Sequence, residues 1–111
     1  MEITTTQYKS CDLVKANGRV DSYTAPDLDK ALEEIINAGH YKIVLNMSDV
    51  EFISSAGLRV LISTQKKCKK LNRGELVLSA VPERVYTALD LAGFIPLFKI
   101  TENDTDAVGL F

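Results

Sequence analysis

The residues best placed to do chemistry in this chain lie in one short stretch, DVEFISSAGLRVL. Here Ser54 and Ser55 stand between an apolar pair and a periodic apolar run that contains Gly57. A serine at such a junction can cap a helix, act as a nucleophile if a base activates it, or accept a phosphate. The only histidine, His40, sits beside Gly39 just ahead of the third expected strand, at the end of that strand opposite to the serines, so a Ser-His-Asp arrangement is not supported. The glycines, at 18, 39, 57, 74, 93 and 109, form neither a GxGxxG fingerprint nor a GxxxxGK phosphate loop. Cys11 and Cys68 are far apart, with no CxxC, which points away from a zinc site or a disulfide framework and towards packing or surface thiols. The carboxylates Glu33, Glu34, Asp49, Glu51, Glu75, Glu83, Asp104 and Asp106 have the spacing of solvated faces and turns. No catalytic residue, metal or cofactor is expected, and the chain reads as a non-enzyme.

The elements that must position the serines are legible in outline. EITTTQY and DLVKANGRV alternate and are β-rich, so they predict an opening hairpin across Lys9, Ser10 and Cys11. TAPDLDKALEEIINAG predicts a first helix, with Thr24 as N-cap, Pro26 in the first turn, Gly39 as the stop and Leu28, Ala31, Leu32, Ile35 and Ile36 as its buried stripe. YKIVLNM, nearly continuous in apolar character, predicts a central strand covered on both faces, followed by a turn at SDVEF. Ser54 or Ser55 then caps a second helix that Gly74 ends, with Leu58, Leu61, Ile62 and Leu71 facing inward. ELVLSA, VPERVYTALDLAG and PLFKI predict a strand, a helix and a last strand, and the tail a short helix capped by Thr101 or Asn103. The expected fold is α/β: a mixed, mainly parallel sheet with an opening antiparallel hairpin and helices packed on it, as one domain over residues 1–111.

Size and charge narrow the partners. The chain of 111 residues suits one core, and no apolar run approaches the roughly 18 residues of a membrane span. The first residues, MEITTTQYKS, carry no secretory pattern, so the expected location is the cytoplasm, without membrane insertion. A net charge of −2 argues against nucleic acid and for a protein or small-molecule partner. The basic run QKKCKK, residues 65–70, reads first as the solvated, dipole-compensating end of a helix. Gly57 is a poor helix former, costing about 1 kcal/mol relative to Ala. Its place in the first turn therefore indicates a close approach to the backbone, by the core or by a partner.

At this point DVEFISSAGLRVL resembles the signature of the STAS domain family, in its anti-sigma-factor antagonist branch. GRVDSYTAPDL is similar to that family's turn into its first helix, and VPERVYTALDLAGFIPLFKI to its closing segment. The three matches run in the expected order across essentially the whole chain. The resemblance implies a binding switch whose unphosphorylated form binds an anti-sigma factor that is also a serine kinase of the histidine-kinase-like ATPase type, with a PP2C-type phosphatase restoring that form. By motif position it implies Ser55 as phosphate acceptor, with Ser54 second, since many relatives carry Asp at the place of Ser54. Around the acceptor, Asp21, Ser22, Asp49, Ser54, Ser55, Gly57, Leu58, Arg59, Ser63 and Lys66 are the expected partner surface. Asp21 and Asp49 can equally be plain turn residues. The alternative implied role is a non-phosphorylated cytoplasmic accessory subunit of a transporter. Nothing in the sequence dictates a dimer, so a monomer is the default expectation.

Overall fold

The computed structural model describes residues Met1–Phe111. Its elements are β1 (Glu2–Gln7), β2 (Asp12–Val20), α1 (Ala25–Asn37), β3 (Lys42–Ile53), α2 (Ser55–Lys69), β4 (Glu75–Ser79), α3 (Glu83–Leu91), β5 (Lys99–Thr101) and α4 (Asp104–Val108). The five strands form one sheet in sequence order, with β1 and β2 antiparallel and every later pair parallel. This is the expected mixed α/β sheet. Parallel neighbours need crossover helices, and α1, α2 and α3 supply them on one face. Their Leu28, Leu32, Leu61, Val85 and Leu89 share an apolar cluster with Val14, Ile43, Leu45, Met47, Leu76 and Leu78. On the other face Val44 and Val77 pack with Cys11 and with Ala107 of α4. The continuous apolar run of β3 follows from this, because Ile43, Val44 and Leu45 alternate between two covered faces.

Several boundaries differ from the sequence reading. No turn interrupts SDVEF. β3 runs on to Ile53 because β2, nine residues long, continues to offer it hydrogen bonds, pairing Asn17 with Asp49, Gly18 with Val50 and Val20 with Ile53 across two register shifts. The buried stripe of α2 is Gly57, Leu61, Thr64, Gln65 and Cys68, whereas Leu58 and Ile62 are half-buried and Leu71 is 73% exposed. Of the two polar residues in this stripe, Gln65 lies inward with its amide fully used. Gln65 donates from Nε2 to the carbonyls of Leu76 (3.1 Å) and Leu97 (2.9 Å) and accepts at Oε1 from the Leu76 N–H (2.7 Å). The helix stops at Lys69, ahead of a 3-10 turn in which Leu71 and Asn72 take left-handed φ values of 60° and 57°, so Gly74 is not its stop. PLFKI is only partly strand: Pro96 and Leu97 belong to a 3-10 turn (Ile95–Leu97), and the strand is Lys99–Thr101. Asn103 caps α4, accepting from the Asp106 N–H at 2.8 Å. Both cysteines are buried free thiols, and burial pushes Cys68 up to about 11, which keeps it protonated at neutral pH.

Candidate functional site

The chain crosses from β3 into α2 at the point where two strands end side by side. Val20 is paired with Ile53, and the next N–H, that of Ser54, donates to the Val20 carbonyl at 2.8 Å. This bond fixes the direction in which the chain leaves the sheet. Ser54 stays extended (φ −90°, ψ 174°), and its hydroxyl accepts from the Gly57 N–H at 3.4 Å, a long capping bond. Ser55 is therefore the first helical residue, and it is exposed. The open choice of cap resolves to Ser54.

Gly57 is buried beneath this junction. A Cβ there would stand 2.7 Å from side-chain carbons of both Ile53 and Val20. The close approach inferred from its sequence position is made by the chain's own core, which lets the first turn of α2 settle onto the strand ends. Gly57 thus supports the expected partner surface from below and is not part of its exposed face. Leu58 also packs partly against the core, and its N–H bonds the Ser54 carbonyl at 2.9 Å.

The turn between β2 and α1 lies directly alongside, since Asp21 follows Val20. One oxygen of the Asp21 carboxylate accepts from the N–H groups of Tyr23 (3.0 Å) and Thr24 (3.1 Å). Thr24 occupies the N-cap position of α1 but makes no capping bond to the helix. Its hydroxyl donates to the Arg19 carbonyl (2.7 Å) and accepts from the Asp21 N–H (3.0 Å), so the side chain braces the turn. Ser22 and Tyr23 are left exposed at its tip. The hydrogen bond from the Thr24 N–H is the main reason the Asp21 carboxyl is held below the usual aspartate range, with the Tyr23 N–H, the Thr24 hydroxyl and Arg19 adding to it. A folded-state value below the unfolded one means that Asp21 favours folding at pH above the ordinary aspartate range and loses that contribution as the pH falls through its own lowered value. We expect carboxyl-detected NMR titration to find Asp21 among the lowest-titrating aspartates and Thr24→Val to move it upward. An ordinary titration in the wild-type protein would contradict this account of the turn.

Asp49 stands elsewhere. It lies within β3 opposite Asn17, four residues before Ile53 and so roughly 13 Å along the strand at about 3.3 Å per residue, and it pairs with Lys15 at 3.3 Å. It is neither at the helix start nor in a turn. On α2, Arg59 and Lys66 are exposed and Ser63 half-buried, and the three line one shallow groove with Ile62, Lys67 and Phe94. His40 is at the far end of the sheet, where its Nδ1 lies 3.1 Å from Asp12 Oδ1.

A polar cluster not foreseen from sequence lies farther back along β3, where Asn46 pairs with Ser79 at the end of β4. Asn46 Nδ2 donates to both oxygens of Asp104 (2.9 and 3.0 Å), and the fully buried Ser79 hydroxyl donates to the same carboxylate (2.7 Å). Asn46 Oδ1 accepts from the N–H and hydroxyl of Ser48 (2.8 and 2.7 Å). These bonds fasten α4 to β3 and β4 on the face away from α2. The available signal was an Asn inside an otherwise apolar central strand, which requires a buried partner.

The STAS domain matches residues 2–107. The anti-sigma-B factor antagonist of Staphylococcus aureus is 31% identical over 100 residues, 90% of this chain and 91% of that protein. Among solved structures, TM1081 of Thermotoga maritima has a TM-score of 0.90 at 25% identity, covering 97% of this chain and 92% of its own. A sulfate transporter family protein from Wolinella succinogenes has a TM-score of 0.78, also at 25% identity, covering 95% and 87%.

Proposed function

The chain belongs to the STAS domain family, and from that premise we propose that it is an anti-sigma factor antagonist acting as a phosphorylation-controlled switch in the cytoplasm. In the unphosphorylated state it binds an anti-sigma factor that is also a serine kinase of the histidine-kinase-like ATPase type. Phosphate on Ser55 weakens that binding, and a PP2C-type phosphatase reverses the modification. The whole chain works as one domain, by binding and not by catalysis. The observation that carries this reading is the division of labour between the adjacent serines. Ser54 is engaged in the cap, while Ser55 stands exposed at a helix N-terminus, where unpaired backbone N–H groups and the helix dipole tolerate an anion. The likeness to the S. aureus anti-sigma-B factor antagonist supports the choice of partner class.

The likeness to a sulfate transporter family protein supports a second reading, in which an unphosphorylated STAS domain serves as an accessory subunit of a transporter. Intact-mass measurement of protein from its native cells, with peptide mapping across residues 43–66, separates the two. The switch reading expects a phosphate on Ser55 that disappears in Ser55→Ala. Absence of phosphate under every growth condition would favour the accessory subunit.

A further inference from the structure

Ser55, Arg59, Ile62 and Lys66 succeed one another at helical intervals of four, three and four, so they form one stripe along α2. Beyond Ser55 this stripe opens into the groove lined by Arg59, Ile62, Ser63, Lys66, Lys67 and Phe94. Its apolar members, Ile62 and Phe94, are half-buried and packed against the core, so they form a firm floor. Its charged members are all cationic. Lys67 is paired with Glu33 of α1, whereas Arg59 and Lys66 are exposed and enter none of the five ion pairs of the chain. In a protein of net charge −2, an apolar strip with a cationic rim is complementary to an amphipathic helix whose apolar stripe is flanked by acidic residues.

We propose that this groove receives an acidic amphipathic helix of the switch partner, and that phosphate on Ser55 closes it by pairing with Arg59 one turn away. The proposal rests on the reading of Ser55 as phosphate acceptor. Residues four apart on a helix have Cβ atoms roughly 5–6 Å apart, within reach of a long side chain. A guanidinium forks readily onto phosphate oxygens. Paired in this way, Arg59 no longer offers its charge to the groove, and the remaining negative charge on the phosphate repels an acidic visitor. The switch then needs no change of fold.

Two measurements test this. In protein carrying phosphoserine at position 55, the Arg59 Nε–Hε resonance should shift and exchange more slowly than in the unmodified protein, and Arg59→Gln should move the phosphate's ³¹P signal towards that of free phosphoserine. A synthetic amphipathic helix with a leucine stripe flanked by glutamates should bind the unmodified groove, perturbing Ile62 and Phe94. Phosphorylation or Arg59→Gln should each weaken it about tenfold, and a lysine-flanked version should not bind. An Arg59 resonance indifferent to the phosphate, or equal binding of the two peptides, would overturn the proposal. Absence of phosphate in cells would instead remove the switch reading while leaving these spectra as they are.

Discussion

Phosphate on Ser55 is expected to weaken the complex with the kinase partner about 100-fold while leaving the melting temperature of the free domain unchanged or slightly raised. The affinity loss follows from adding about −1.5 to −2 charges to a surface that must shed water on binding. A cost of about 2.8 kcal/mol corresponds to two decades at 1.4 kcal/mol per decade. Retention of the fold follows from the position of Ser55. It is exposed in the first turn of α2, where an anion interacts favourably with the helix N-terminus by about 0.3–1 kcal/mol. The neighbouring serine should behave in the opposite way. Ser54→Ala removes the cap to Gly57 and should cost about 1 kcal/mol of stability, while leaving Ser55 able to accept phosphate. Ser55→Asp should weaken binding less than the phosphate, because it carries a single charge. Calorimetric titration of the four proteins against the purified kinase, with thermal melts in parallel, checks the pattern. Unchanged affinity on phosphorylation, or loss of fold in the phosphorylated protein, would contradict it.

The order and type of elements were legible because each carries a strong local signal: a two-residue alternation in β2, an apolar stripe in α1, the uninterrupted run of β3. The junction at Ser54 and Ser55 was legible for a different reason, since small hydroxyl residues followed by a helical glycine have few other uses. What the sequence did not disclose depends on partners distant in the chain. Nothing local says that β3 continues through Asp49, because that depends on β2 remaining beside it as far as Val20. Thr24 looks like a cap, yet Asp21 and the Arg19 carbonyl offer its hydroxyl better partners. Thr64 and Gln65 look solvent-facing by residue type, but Gln65 is inward because it bridges Leu76 and Leu97, separated from it by 11 and 32 residues. The same holds for Asp104, which resembles a surface carboxylate and instead accepts from Asn46, 58 residues earlier in the chain. Polar residues serving the core are hidden from any argument based on periodicity.

Gly74 gives the second large effect, and it reverses the role that sequence assigned to it. Its φ is not left-handed, so conformational freedom is not what the position demands; space is. A Cβ built there would lie 2.2 Å from the Tyr41 carbonyl oxygen, 2.5 Å from its carbon and 3.0 Å from the Lys42 nitrogen. All three are backbone atoms at the start of β3, just where Lys42 pairs with Glu75 at the start of β4. No rotamer change can relieve the clash. Gly74→Ala must separate two central strands at their first paired residues, and it should destabilise the protein by about 3 kcal/mol, at the upper end of overpacking costs, lowering Tm by roughly 12 °C for a domain of this size. Gly39 makes the contrast. Its φ is 87° but nothing lies within 4 Å of the added atom, so Gly39→Ala should cost only the left-handed penalty of about 1–2 kcal/mol. Gly57→Ala should also fall below Gly74→Ala, because the atoms it meets are side-chain carbons of Val20 and Ile53 that can give way. Urea unfolding of the three variants ranks them directly. Should Gly74→Ala prove no more costly than Gly39→Ala, the strand starts must yield more easily than their hydrogen-bonded register implies.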